Sequence, residues 1–214
     1  MTQPSYAVLI DGGFVKYALK ALPKDPPISE KHIQKLAEAI AAHQCVQGMR
    51  LHRIYFYDAK PLTGKVRRPD GKDIDFSSSE LSKISHRQHA AIARLPYVAM
   101  RFGELSNRGW KVHQSVLKQT KTITQLTPDN LEPNVQQKGV DMRIGLDIAA
   151  LSLKKQVQLI VLVTADNDFI PAMKFARREG VQLVLVCPGR TPTEAMLDHA
   201  DVVINDKAAD LLKW

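Results

Sequence analysis

The residues best placed to do chemistry are aspartates that end runs of strand-forming apolar residues or open a helical pattern. Asp11 follows Tyr6-Ala7-Val8-Leu9-Ile10 and precedes Gly12-Gly13. Asp166 and Asp168 close the run Val163-Thr164-Ala165-Asp166-Asn167-Asp168, and Asp141 stands in Lys138-Gly139-Val140-Asp141. Carboxylates gathered at one place repel one another unless a cation neutralises them. Hard oxygen ligands with water positions to spare suit Mg²⁺ or Mn²⁺. Each aspartate also has a plainer use. Asp168, before Phe169-Ile170-Pro171, suits a helix cap, Asp141 the positive end of a helix, and Asp11 a turn. Two features weigh against capping alone: the extra carboxylate of the Asp-x-Asp pair, and the place of Asp11 at the end of the most apolar N-terminal run. Asp147 lies six residues beyond Asp141 on a different helical face and reads as an orienting or structural residue. Thr164, two residues before the pair, and Asn167, between its members, are candidates to support it.

These aspartates need a frame. Apolar runs predict strands at residues 6–10, 52–57, 97–102, 158–163, 181–186 and 202–204. Helical patterns fall between them at 14–22, from Ser29 to near Gly48, at 79–95, 140–153, 169–178, around 193–199 and at 207–212. Strands alternating with helices imply an α/β fold, a mostly parallel sheet covered on both faces. In such sheets ligands gather at the carboxyl ends of the strands, where the aspartates lie. Residues 61–79 are polar and Gly/Pro-bearing and read as a loop or mobile insert. Residues 114–137 have few apolar residues, no steady period and two prolines, and read as a long flexible segment. The reading is one domain over 1–214 with a basic insertion at about 60–121.

The chain has 214 residues, a formal charge of +8 and a sequence pI near 9.5. Between Lys60 and Lys121 there are 13 Lys and Arg against 5 Asp and Glu, whereas the remaining chain carries 17 of each sign. The whole positive excess therefore sits in one stretch, a layout suited to neutralising phosphates. Tyr97, Phe102 and Trp110 are interleaved with Arg94, Arg101, Arg108 and Lys111, which suits stacking on unpaired bases beside phosphate contacts, and Arg87 lies in the same stretch. A solvated helix face with a basic loop is the plain alternative. His86 and His89, three apart on the basic helix, read as surface or RNA-facing. No apolar run approaches the ~20 residues of a membrane span, and no secretory signal is visible, which predicts a cytoplasmic protein. Cys45 and Cys187 are too few for a disulfide framework or a Cys-based zinc site. Phosphate-loop, dinucleotide-binding and nucleophile-elbow motifs do not occur.

Taken in order, several motifs resemble the NYN-domain family, the LabA-like branch of the PIN-type ribonuclease superfamily. They are Leu9-Ile10-Asp11-Gly12-Gly13-Phe14, Lys138-Gly139-Val140-Asp141 continuing to Gly145-Leu146-Asp147, Thr164-Ala165-Asp166-Asn167-Asp168-Phe169-Ile170-Pro171 and Ala176-Arg177-Arg178-Glu179-Gly180-Val181. Two positions depart from the family's pattern: many members carry Asn where Gly13 stands, and Ser/Thr-Gly-Asp where this chain has Thr164-Ala165-Asp166. The resemblance implies a PIN-like three-layer α/β/α sandwich and metal-dependent RNA cleavage. Asp11, Asp141, Asp166 and Asp168 would then hold Mg²⁺ or Mn²⁺, with Asp11 and Asp166 as the main ligands. Metal chemistry of this kind needs no His or Lys general base. The alternatives are a non-catalytic RNA-binding or regulatory protein on the same fold and a phosphohydrolase of smaller esters. An apolar helix face offers a surface for a homodimer.

Overall fold

The structure, a computed structural model, describes residues 3–20, 27–117 and 126–212. The first half contains β1 (Ser5–Asp11), α1 (Gly12–Leu19), α2 (Glu30–Ala42), β2 (Arg50–Ala59), β3 (Lys65–Arg67), β4 (Asp73–Asp75), α3 (Glu80–Ala93) and β5 (Val98–Val112). The second contains α4 (Gln114–Leu117), β6 (Leu131–Lys138), α5 (Val140–Leu153), β7 (Leu159–Val163), α6 (Ile170–Arg178), β8 (Gln182–Val186), α7 (Glu194–Leu197), β9 (Val202–Ile204) and α8 (Ala208–Leu212).

Every residue of β1 and β7 is buried, as continuous apolar runs are when both faces of a parallel sheet are covered. The two strands are neighbours in a seven-stranded sheet of order β6-β5-β2-β1-β7-β8-β9. All pairings are parallel except that of β6, which runs antiparallel to β5 at the edge; β3 and β4 form a separate two-stranded hairpin. The chain winds outward from β1 to β2 and β5, then returns to β7 on the other flank of β1. The strand order therefore reverses between β1 and β7, which opens a crevice at their carboxyl ends.

Consecutive side chains of a strand point to opposite faces, and one pair in β2 shows both helical layers. Tyr57 reaches Asp147 of α5, and Asp58 reaches Lys16 of α1 and His89 of α3. Helices α1, α2, α3 and α8 pack together on one side of the sheet, and α5 packs with α6 on the other. This is a PIN-like α/β/α sandwich with a mostly parallel centre, the expected fold class. The α5 stripe Val140, Ile144, Ile148 and Leu151 is buried, while Met142, Leu146 and Leu153 are exposed on its outer side. Among the described residues no helix is long and apolar enough to cross a membrane.

The middle of the chain departs most from expectation. β5 does not stop at Phe102: beyond Gly103 it continues to Val112 as one arm of an antiparallel ribbon whose other arm is β6. Residues 131–137, read as flexible, are thus a strand, and 118–125 lie outside the described residues. The sequence hides β6 because an edge strand is held by backbone pairing and needs no apolar face; Pro133 sits there opposite Trp110. The basic stretch is built into the sandwich, since it supplies α3, with Ile92 buried, and β5. Where the ribbon meets the sheet, a Cβ on Gly103 would lie 2.5 Å from the Lys138 carbonyl and 2.6 Å from Val140 Cγ2. Only glycine admits that approach, and through it the end of β6 and the start of α5 are seated on β5.

Gly12 makes the same kind of contact where α1 leaves β1 without a loop. A Cβ there would stand 2.5 Å from the Tyr57 carbonyl and 2.9 Å from Phe56 Cζ. Gly12→Ala is expected to cost about 1–3 kcal/mol, as overpacking does. The thermal midpoint should fall by roughly 2–4 °C for each kcal/mol. An unchanged midpoint would show that the strand-to-helix junction is not tightly packed.

Candidate functional site

Asp11 is the last residue of β1 and the N-cap of α1. Its Oδ1 accepts from the backbone N–H of Gly13 (2.9 Å) and Phe14 (3.2 Å). Its Oδ2 accepts from the hydroxyl of Thr164 (3.2 Å), the buried residue just past β7. The same hydroxyl oxygen accepts from the Asp166 N–H (3.3 Å), and the Thr164 carbonyl accepts from the Cys187 thiol (2.9 Å) at the end of β8. Asp166 in turn accepts from the Asp168 N–H (3.0 Å), capping the short 3₁₀ turn Asn167–Phe169. The cap at this turn is therefore Asp166, and not Asp168 as its place before Phe169-Ile170-Pro171 suggests. The aspartate two residues earlier wins because the chain enters α6 through this 3₁₀ turn.

Asp11, Asp141 and Asp166 line one cleft of about 480 Å³ at the carboxyl ends of β1 and β7, together with Thr164 and Asn167. The Asn167 side-chain oxygen accepts from the Thr193 hydroxyl (2.6 Å). Asp168 does not line the cleft, but its charge reaches Asp141. Burial pushes the Asp11 carboxyl above its ordinary range, and the charge of Asp141 adds to that. Its two backbone N–H bonds and the Thr164 hydroxyl work the other way. Asp141 is also raised, by burial first and then by the charges of Asp166 and Asp168. Among the described residues none of the four aspartates has an ion-pair partner.

Three carboxylate-bearing segments facing one cleft, with mutual repulsion unrelieved by any cationic side chain bonded to them, are a donor set that fits a hard divalent cation. Among the described residues no three His, Cys, Asp or Glu side chains stand close enough together to hold an ion directly. An ion that prefers to keep part of its water shell, as Mg²⁺ does, fits such spacing.

The other sequence candidates lie elsewhere. Asp147 accepts from the Tyr57 hydroxyl (2.8 Å) and from Arg101 Nε (3.0 Å), so it ties α5 to β2 and β5. Arg101 is thereby engaged, with its guanidinium over the Tyr55 ring at 4.9 Å. Lys111 pairs with Glu132 across the ribbon (3.2 Å), and Arg87 Nε donates to the Lys83 carbonyl (3.4 Å). Arg94, at the end of α3, and Arg108, at the bend of β5, are exposed. None of the five lines the aspartate cleft.

Sequence reasoning passed over two groups. Tyr17, Gln137 and Arg190 line the cleft, and Arg190 is the cation among its lining residues. The position of Arg190, four residues past a buried strand and at the same sheet edge as the aspartates, was the available signal. The second group is Asp58, at the end of β2, which accepts from Lys16 Nζ (2.5 Å) and shares a hydrogen bond with His89 Nε2 (2.7 Å). Burial raises the Asp58 carboxyl, but His89 and Lys16 outweigh it and hold the group below its ordinary range. His89, expected at the surface, is only 8% exposed and lies against the Phe102 ring. A buried carboxylate captured it, and the cluster pins α1 and α3 to β2.

Because the folded-state carboxyl of Asp141 titrates above the ordinary 3.8, the folded protein loses stability as pH rises from about that value through the raised one. Asp141→Asn removes this loss. The variant should be the more stable at neutral pH, by a few tenths to about 1 kcal/mol for so exposed a group. The advantage should shrink toward zero below pH 4. Denaturant titrations at both pH values test this, and equal stability at neutral pH would refute a carboxyl raised by burial and its acidic neighbours.

The model of the NYN domain matches residues 5–207. A solved protein of unknown function from Vibrio parahaemolyticus shares the fold with a TM-score of 0.54 and 13% identity, covering 98% of this chain and 96% of that one. An uncharacterized protein of Methanocaldococcus jannaschii is 26% identical over 94 residues, which are 44% of this chain and 39% of that protein. This chain therefore spans about two fifths of the length of that curated relative. With the family model running from the first strand to the last helix's approach, the chain belongs to the NYN-domain family.

Proposed function

We propose that this chain is a divalent-metal-dependent ribonuclease of the LabA-like branch, cutting RNA phosphodiester bonds internally. The observation that carries the reading is the cleft at the carboxyl ends of β1 and β7, which Asp11, Asp141 and Asp166 all line without any ion-pair partner among the described residues. Asp11 and Asp166 would be the main holders of Mg²⁺ or Mn²⁺, with Asp141 and, through water, Asp168 completing the set. When bound, the ion supplies a water of lowered pKa and positive charge for the phosphate and its leaving oxygen.

The chain's own residues supply position. Asp11 is fixed by two backbone N–H groups and the Thr164 hydroxyl, so its carboxylate is aimed before any ligand arrives. Asp166 is fixed from the other side by the same threonine and by its cap on the 3₁₀ turn. Exposed Arg94 and Arg108 are the free members of the expected basic surface, with Arg87, Arg101 and Lys111 also available through their unbonded donors. One feature favours a second reading, an RNA-binding protein without cleavage: Gly13 brings no polar side chain to a cleft in which the carboxylates do not converge on their own.

A labelled single-stranded RNA incubated with Mn²⁺ or Mg²⁺ separates the readings. Cleavage should require the ion and stop on chelation. Asp166→Asn preserves a good capping residue and so the fold. It should lower the rate by at least about 100-fold, the upper end of what losing an outer partner of a metal ligand costs. Cleavage that survives this change would refute the centre, and binding without cleavage would establish the second reading. Turnover confined to small phosphate esters would replace both. The affinity should fall steeply with salt, by about 0.7 in log K per tenfold salt for each phosphate neutralised. A flat dependence would count against the basic surface.

A further inference from the structure

We propose that Arg190 and Tyr17 form a subsite for one unpaired nucleotide of the RNA, Arg190 meeting its phosphate and Tyr17 its base. The inference rests on the reading of the cleft as an RNA-cleaving site and adds the class of substrate: a strand unpaired beside the cut.

Arg190 is held on a rigid frame. Its N–H donates to the Cys187 carbonyl (3.1 Å), and the N–H of the preceding Gly189 donates to the Asp206 carbonyl (3.0 Å). The Asn205 amide, turned nitrogen inward, donates to the carbonyls of both Arg190 (2.7 Å) and Cys187 (2.8 Å). The backbone is thus pinned at the ends of β8 and β9, while the side chain is exposed and faces the cleft. Three carboxylates line the same cleft, yet among the described residues Arg190 forms no ion pair with any of them. Its guanidinium instead lies over the Tyr17 ring, 5.5 Å from the centroid. A planar cation with free N–H donors, set opposite carboxylates that repel phosphate, is a phosphate contact by its chemistry.

Tyr17 supplies the other half. It stands on α1, six residues past Asp11, and the residue is 60% exposed. A large aromatic ring left open to water at the wall of a polar cleft offers a face for stacking, and any base presents the matching one. A base inside a duplex is already stacked on both sides and is not free to occupy it. Arg190 above the ring braces it and adds its own flat surface to the platform. The carboxylates and this platform share one cleft, so a phosphate on Arg190 belongs to a nucleotide adjoining the one at the aspartates.

Fluorescence anisotropy with a labelled 12-nucleotide single-stranded RNA, and with the corresponding blunt duplex, tests the subsite without turnover when a chelator is present. Arg190→Ala should weaken single-strand binding about 10-fold and flatten its salt slope by about 0.7, the loss of one phosphate contact. Tyr17→Ala should weaken it about 5-fold or more, and Tyr17→Phe should restore it, because stacking needs the ring and not the hydroxyl. Duplex binding should be unchanged by Tyr17→Ala. Both side chains altered are exposed ones, and matching thermal midpoints confirm the fold. An unchanged salt slope in Arg190→Ala, or equal losses for duplex and single strand in Tyr17→Ala, would overturn the subsite. Absence of cleavage by the unaltered protein with Mn²⁺ or Mg²⁺, beside the predicted binding losses, would instead overturn the ribonuclease reading and leave the subsite standing.

Discussion

The hydroxyl of Thr164 holds the centre of this molecule together. It donates to Asp11 at the end of one strand and accepts from the backbone of Asp166 beyond the next, while the carbonyl of the same residue takes the Cys187 thiol of a third. A buried polar group that is fully bonded in this way fixes orientation more than it adds stability. Asp11 is aimed because Thr164 cannot turn, and Thr164 cannot turn because it is enclosed where β1, β7 and β8 end. The strand order that reverses between β1 and β7 makes the crevice; this threonine makes the crevice a particular shape.

Around it the protein treats its acidic residues in two opposite ways. Asp58 and Asp147 are given cations and hydrogen bonds, and each ties helices to the sheet, one on either face. Among the described residues the cleft aspartates are paired with no cation; burial first, and the neighbouring carboxylates after it, push Asp11 and Asp141 above their usual range. The fold therefore carries repulsion in an open cleft, where it is not relieved by the protein itself among the described residues. Stability lost there is the ordinary cost of a site kept ready for something else.

The legible parts of the sequence were those whose signal is local. The apolar runs of β1, β7 and β8 declare buried parallel strands, and Asp11 and Asp166 past the ends of β1 and β7 mark the sheet edge where the cleft opens. Signals that depend on a partner far along the chain were not legible. Arg101 and Lys111 carry the same charge as any free basic residue, and only folding brings them to Asp147 and Glu132. His89 read as a surface residue because its partner Asp58 lies 31 positions away. β6 was lost for a different reason: backbone pairing at an edge leaves no pattern in side chains. Arg190 was passed over because a single arginine beyond a Pro-Gly turn has no charge run around it to mark it.

Asp11 and Asp166 grow from interior strands, but Asp141 is reached by way of the sheet's rim. β6 ends at Lys138, Gly139 turns the chain, and α5 begins at once, all seated on Gly103 of β5. Side chains alternate along a strand, so a slip of one residue between β6 and β5 would reverse the faces of the ribbon. It would also carry the first turn of α5 away from its seat. The register of an unremarkable polar edge strand is thus the gauge that sets how wide the acidic cleft stands, and a one-residue insertion there would displace Asp141 from the other two carboxylates.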